Sequence, residues 1–150
     1  GQYNPAPGTY TKYIADAIAA ENPSIIVAGH PHVPLRAEII NNVFTAYSLG
    51  NFCFTPGVGY FIPNVLAEYG IVLHTYWDKE TKTLAKATFS VVVNTIDDNG
   101  IAVTLPVQEL YSRLQSAIDK DRLLMENEAV VNRFVGGRSR VPIQDEYDFR

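Results

Sequence analysis

The run Ser24-Ile25-Ile26-Val27-Ala28-Gly29-His30-Pro31-His32-Val33 constrains this chain more than any other stretch. Ile25 to Ala28 are apolar on both alternating sets, which suits a strand covered on both faces of a sheet. Gly29 permits a sharp exit from the strand, and Pro31 fixes one backbone dihedral of the loop that follows. The strand thus delivers His30 and His32 at its carboxyl end, where open α/β sheets place their ligands. In an extended segment side chains two residues apart point the same way, so both imidazoles can face one site. Neutral imidazole suits Zn, Mn, Fe or Ni. Two ligands do not close a metal site, and two loop histidines taken alone are more often ordinary surface residues.

The chain around this run reads as alternating helix and strand. Asn4-Pro5-Ala6-Pro7-Gly8 is loop chemistry. Tyr10, Tyr13, Ile14, Ala17 and Ile18 recur at helical spacing, predicting an amphipathic helix capped by Thr9 and ended near Asn22-Pro23. Residues 36–40 and 43–48 form a hairpin around Asn41-Asn42, good type I′ turn chemistry. Asn51 to Glu68 is a long, aromatic-rich loop, a length often tied to function. Strands follow at 70–77, 84–96 and 101–105, separated by turns at 78–82 and 98–100. From Val107, the residues Leu110, Tyr111, Leu114, Ile118 and Met125 line one face of a helix to about 134, broken midway. Residues 136–150 read as a polar tail, extended or poorly ordered.

A chain of 150 residues is long enough for one domain with its own core. Its hydrophobic fraction of 47% and charged fraction of 19% exclude a disordered class. A net charge of -4 without a basic block argues against nucleic acid as a partner. The single cysteine, Cys53, rules out an internal disulfide and a cysteine zinc cluster. Its setting in Phe52-Cys53-Phe54 predicts a small buried hydrophobe. The chain shows no signal peptide and no apolar run of about 20 residues to span a bilayer, and it begins at Gly1 without Met.

A second segment, Tyr47-Ser48-Leu49-Gly50-Asn51-Phe52, follows the histidines and reads as part of the same site. Other candidate ligands are weak. His74 reads as a partly buried sheet histidine, and Glu38, Asn51, Asp16 and Glu68 have no spacing that selects them. A metal centre here needs ligands from outside the chain.

Residues 24–54 resemble the C-terminal portion of the CapA family of bacterial capsule and poly-γ-glutamate synthesis proteins. The resemblance is carried by Ile25 to Val33, Glu38, and Tyr47 to Phe52. It extends more loosely over the helix at 9–21 and over Gly1-Gln2-Tyr3, where Gln2 stands in place of the family's usual Glu. His30 follows Gly29 directly, whereas many members place a residue between them. The family has a calcineurin-like metallophosphoesterase fold. The resemblance therefore implies an α/β chain, a mixed β-sheet with helices, in which residues 1–135 form the C-terminal part of a two-layer metallophosphoesterase-like sandwich. It implies His30 and His32 as catalytic metal ligands of a divalent pair (Mn, Zn or Fe) shared with upstream residues. Such a pair, about 3.5–4 Å apart, polarises a phosphoryl oxygen and acidifies bound water. Glu38, Ser48 and Asn51 are assigned to substrate contact or loop bracing, with ordinary turn chemistry and capping an equal reading.

Two functions follow as expectations. One is a metal-dependent hydrolase or transferase acting on a phosphoester or an anionic surface polymer at the cell envelope, the intact protein being extracellular or membrane-anchored. The other is a non-catalytic assembly or export component that binds polymer or capsule assembly proteins through the aromatic loop, with Phe54, Tyr60, Phe61 and Tyr69. Strand edges left open in this chain would need cover, for instance in a homodimer.

Overall fold

The turn Asn41-Asn42 holds the first sheet together. Both residues adopt positive φ, 49° and 66°, as a type I′ hairpin requires. The structure is a computed structural model describing residues 3–55 and 65–149. Helix α1 spans Thr9–Ala20. Strand β1 (Ile25–Val27) pairs in parallel with β3 (Val43–Ala46), and β2 (Ala37–Ile40) pairs with β3 in antiparallel register from Ala37↔Ala46 to Ile40↔Val43. The sheet order is β1-β3-β2. The central strand, buried at every position, is β3 and not the expected β1. Among the described residues β1 is an edge strand, and Val27 is 49% exposed.

Helix α1 also departs from expectation. Its N-cap is Gly8, with extended backbone and no side-chain cap, in place of Thr9. Its buried residues are Ala15 and Ala19, whereas Tyr10, Tyr13, Ile14 and Ile18 are exposed, Tyr13 at 68%. The small alanine side lets the helix approach the chain closely, and the larger apolar stripe faces outward. A helix apolar on two sides is a helix suited to two layers of cover.

The second sheet follows the long loop. Strand β4 (Tyr69–Trp77) pairs antiparallel with the thirteen-residue β5 (Leu84–Ile96), with an irregularity between Tyr76 and Trp77. Strand β5 also pairs with β6 (Ala102–Pro106). Helix α2 (Val107–Arg113) starts where β6 ends, and α3 (Ala117–Val135) follows a break at Leu114. Ser116 Oγ caps α3 by accepting from Asp119 N–H at 3.3 Å, and Gly136, at φ 71°, closes it. The break resets the helical phase, so the single expected face does not exist. Ile118 and Met125 are exposed, and Leu123, Val130, Val131 and Phe134 face the core. The tail is extended and packed. In it, β7 (Tyr147–Asp148) pairs with β5 at Phe89↔Tyr147, and Tyr147 is buried.

One core joins the two sheets and α3, with Ala37, Phe44 and Ala46 from the first and Ile71, Phe89 and Val91 from the second. Phe89 packs on Phe134 at 4.8 Å between ring centroids, and Phe44 meets Phe149 edge-on at 4.8 Å. The sheets also touch through backbone. Ile71 N–H donates to the Leu49 carbonyl at 2.7 Å, and Asn51 N–H donates to the Tyr69 carbonyl at 3.4 Å. Gly70 is needed at this crossing, because a Cβ there would lie 2.2 Å from the Asn51 carbonyl oxygen. The described chain is thus mixed α/β with two sheets and helices, as expected.

Candidate functional site

The two histidines leave β1 in different settings. His30 has φ 87° and is exposed, a backbone region that costs a non-glycine residue about 1–3 kcal/mol. It lines a cleft of about 250 Å³ together with Pro7, Gly8, Thr11 and Tyr47. His32 is half-buried. Its ring stacks on Tyr3 at 5.6 Å with an interplanar angle of 23°, and lies 6.2 Å from Phe54 at 41°.

The segment Tyr47 to Phe52 builds the surroundings of His32. Buried Ser48 donates through Oγ to the Pro31 carbonyl at 2.9 Å and accepts from Gly50 N–H at 3.1 Å, pinning the turn between the histidines. Asn51 Oδ1 lies 2.8 Å from His32 Nδ1. Asn51 Nδ2 donates to the His32 carbonyl at 3.1 Å and to the Ala67 carbonyl at 2.8 Å. One carboxamide thus holds both the ring and the backbone of His32.

Glu38 is engaged elsewhere. It accepts from Tyr47 OH at 2.8 Å, and its other oxygen is 3.7 Å from Arg36 Nε. Burial, then the bond to Glu38, pushes the Tyr47 hydroxyl well above the usual tyrosine range. Tyr47 therefore stays protonated in the cleft beside His30. Asp16 and Glu68 are exposed, and His74 bonds Ser90 Oγ at 2.9 Å on the second sheet. The structure thus brings Ser48 and Asn51 to the His30-Pro31-His32 turn and ties Glu38 to Tyr47.

Two expectations about the loop change. Cys53 is exposed, because a turn at φ 57° points it away from the core. Tyr69 is buried and donates to Glu126 at 2.6 Å, so it belongs to the core and not to a stacking surface. Tyr60 and Phe61 lie outside the described residues.

Asn94 was not among the sequence candidates. This buried side chain of β5 donates through Nδ2 to the Glu68 carbonyl at 2.8 Å and to the Asn51 carbonyl at 3.3 Å. Its Oδ1 accepts from Phe54 N–H at 3.0 Å and from Thr104 Oγ1 at 2.7 Å. It therefore fixes the residue that holds His32 and the one that flanks it. The available signal was a polar residue closing the apolar run Val91-Val92-Val93.

Two imidazole donors stand on the loop after β1. His32 and His30 are imidazoles at a strand end, and His32 has a carboxamide oxygen at Nδ1, the arrangement typical of ligating histidines. Among the described residues no group of three or more His, Cys, Asp or Glu side chains is placed to hold a metal ion. No described helix is long and apolar enough to cross a membrane.

No curated protein and no solved structure matches the chain. A family model described as bacterial capsule synthesis protein, PGA_cap, matches residues 1–56, which include His30, His32, Glu38, Ser48 and Asn51. Over these residues, about a third of the chain, it is similar to the bacterial capsule synthesis protein family.

Proposed function

We propose that the chain contributes one side of a metal-dependent hydrolase or transferase site, on a metallophosphoesterase-like domain that works on surface polymer at the cell envelope. The observation that carries this reading is the clamp on His32 within the capsule-synthesis segment. A carboxamide with no freedom to turn holds the imidazole of His32, two residues along the chain from His30 with its strained backbone. His30 and His32 would hold a divalent metal pair completed by side chains outside this chain. When bound, such a pair supplies Lewis acidity toward a phosphoryl oxygen. Ser48 keeps the intervening turn rigid, Asn51 sets the His32 ring, and Tyr47, its hydroxyl held by Glu38, lines the cleft beside His30. The substrate would be a phosphoester or an anionic polymer. The test is hydrolysis of a phosphoester by the intact protein with added Mn²⁺, Zn²⁺ or Fe²⁺. Activity lost in both His30→Ala and His32→Ala supports the reading, and activity unchanged in either sinks it.

The exposed apolar stripe of α1, with exposed Phe52, favours a second reading: an assembly component that docks a partner subunit or a second copy. Its mark would be partner or polymer capture that survives loss of both histidines and fails in Tyr13→Lys.

A further inference from the structure

We infer that Asn51 is a positioning residue that fixes His32 as the Nδ1–H tautomer, leaving the lone pair on Nε2. The orientation of the Asn51 carboxamide follows from its neighbours. Two backbone carbonyls, of His32 and Ala67, lie 3.1 and 2.8 Å from one end of the group. Carbonyl oxygens only accept, so that end is the NH₂, and both of its hydrogens are committed. The other end is therefore the carbonyl oxygen, which also only accepts. It sits 2.8 Å from His32 Nδ1, so Nδ1 carries the proton. A neutral imidazole has one N–H, and the basic nitrogen is then Nε2.

The carboxamide cannot turn over to reverse this. A flip would place its oxygen against two carbonyl oxygens, at 9% exposure of Asn51. Its own backbone is held as well, by Asn51 N–H to the Tyr69 carbonyl and by Asn94 to the Asn51 carbonyl. Asn94 belongs to β5, outside the segment that matches the capsule-synthesis family. The second sheet thus has a part in the site: it buttresses the residue that sets the histidine. Stacking of His32 on Tyr3 and its approach to Phe54 hold the ring plane in which the bond to Asn51 is made.

The consequence for binding rests on the proposed role of His32 as a ligand. A preset tautomer removes the cost of selecting one on binding, and such partners of ligating histidines contribute about 10–100-fold in metal affinity. The tautomer itself is a property of the metal-free chain.

The test is long-range proton–nitrogen correlation NMR on the 150-residue chain carrying nitrogen-15 histidine, without metal. The expected result is a pyrrole-type Nδ1 and a pyridine-type Nε2 for His32. Folded Asn51→Ala should show tautomers in exchange. An Nε2–H pattern in the wild type overturns the inference, as does an unchanged pattern in Asn51→Ala. Should Asn51→Ala not fold, the wild-type spectrum still decides. Zn²⁺ titration of the same samples separates the two ideas. An Nδ1–H tautomer that Zn²⁺ never perturbs supports the inference and shows that the two histidines do not hold Zn²⁺ without the side chains outside this chain. Zn²⁺ binding to an Nε2–H histidine does the reverse.

Discussion

Replacement of Asn94 tests whether the second sheet braces the site. Its side chain is 2% exposed and makes four hydrogen bonds, to the Glu68 and Asn51 carbonyls and from Phe54 N–H and Thr104 Oγ1. A hydrogen bond of this kind contributes about 0.5–1.5 kcal/mol net. The Glu68 carbonyl keeps a bond from the Asn94 backbone N–H at 2.8 Å, so its loss is partial. Asn94→Ala should therefore cost about 2–4 kcal/mol, a large part of the ~5–15 kcal/mol stability of an ordinary domain. Asn94→Asp sharpens the test. It keeps the acceptor oxygen but turns a carboxylate toward two carbonyl oxygens, which raises the folded pKa above the unfolded value of about 3.9. For a group with a raised pKa, stability is present below the unfolded value and lost as pH rises through the folded one. The gap between Asn94→Asp and wild type should thus widen from about pH 4 to pH 7. Urea unfolding followed by far-UV circular dichroism measures both. An Asn94→Ala cost under about 1 kcal/mol, or a gap independent of pH, would refute the reasoning.

Three further outcomes are expected. Gly70→Ala should lose about 1–3 kcal/mol or more, since its Cβ would press on the Asn51 carbonyl; an unchanged thermal midpoint would contradict the close crossing. At φ 87°, His30→Gly should be about 1 kcal/mol more stable than His30→Ala, and equal midpoints in urea would show that His30 is unstrained. The Glu146 carboxyl is held below its ordinary 4.5, first by Thr88 and then by Tyr76. Its contribution is present above that value and lost as pH falls through the folded pKa. NMR signals of Tyr147 should therefore change in acid in wild type and not in Glu146→Gln; identical titrations would remove Glu146 from the docking of the tail.

Local chemistry carried much of this fold into the sequence. Asn41-Asn42 set its own turn, and the strand expected over residues 84–96 emerged as β5 at full length. Choices made by tertiary partners were not legible. The larger stripe of α1 looked like the buried one, yet close packing selected Ala15 and Ala19. The run Ile25 to Ala28 looked interior, but β3 took the centre because it pairs on both sides. The site divides in the same way. His32, Ser48 and Asn51 share short motifs, so they could be named together. Asn94 meets Asn51 only across 43 residues of sequence, and no local pattern announces that contact.

Metal content tests the central claim most directly. Elemental analysis of the intact protein, purified under metal-replete conditions, should find stoichiometric divalent metal that falls in both His30→Ala and His32→Ala. Metal unchanged by either substitution, or none in the wild type, would contradict the claim and leave the strand-end histidines to a docking role.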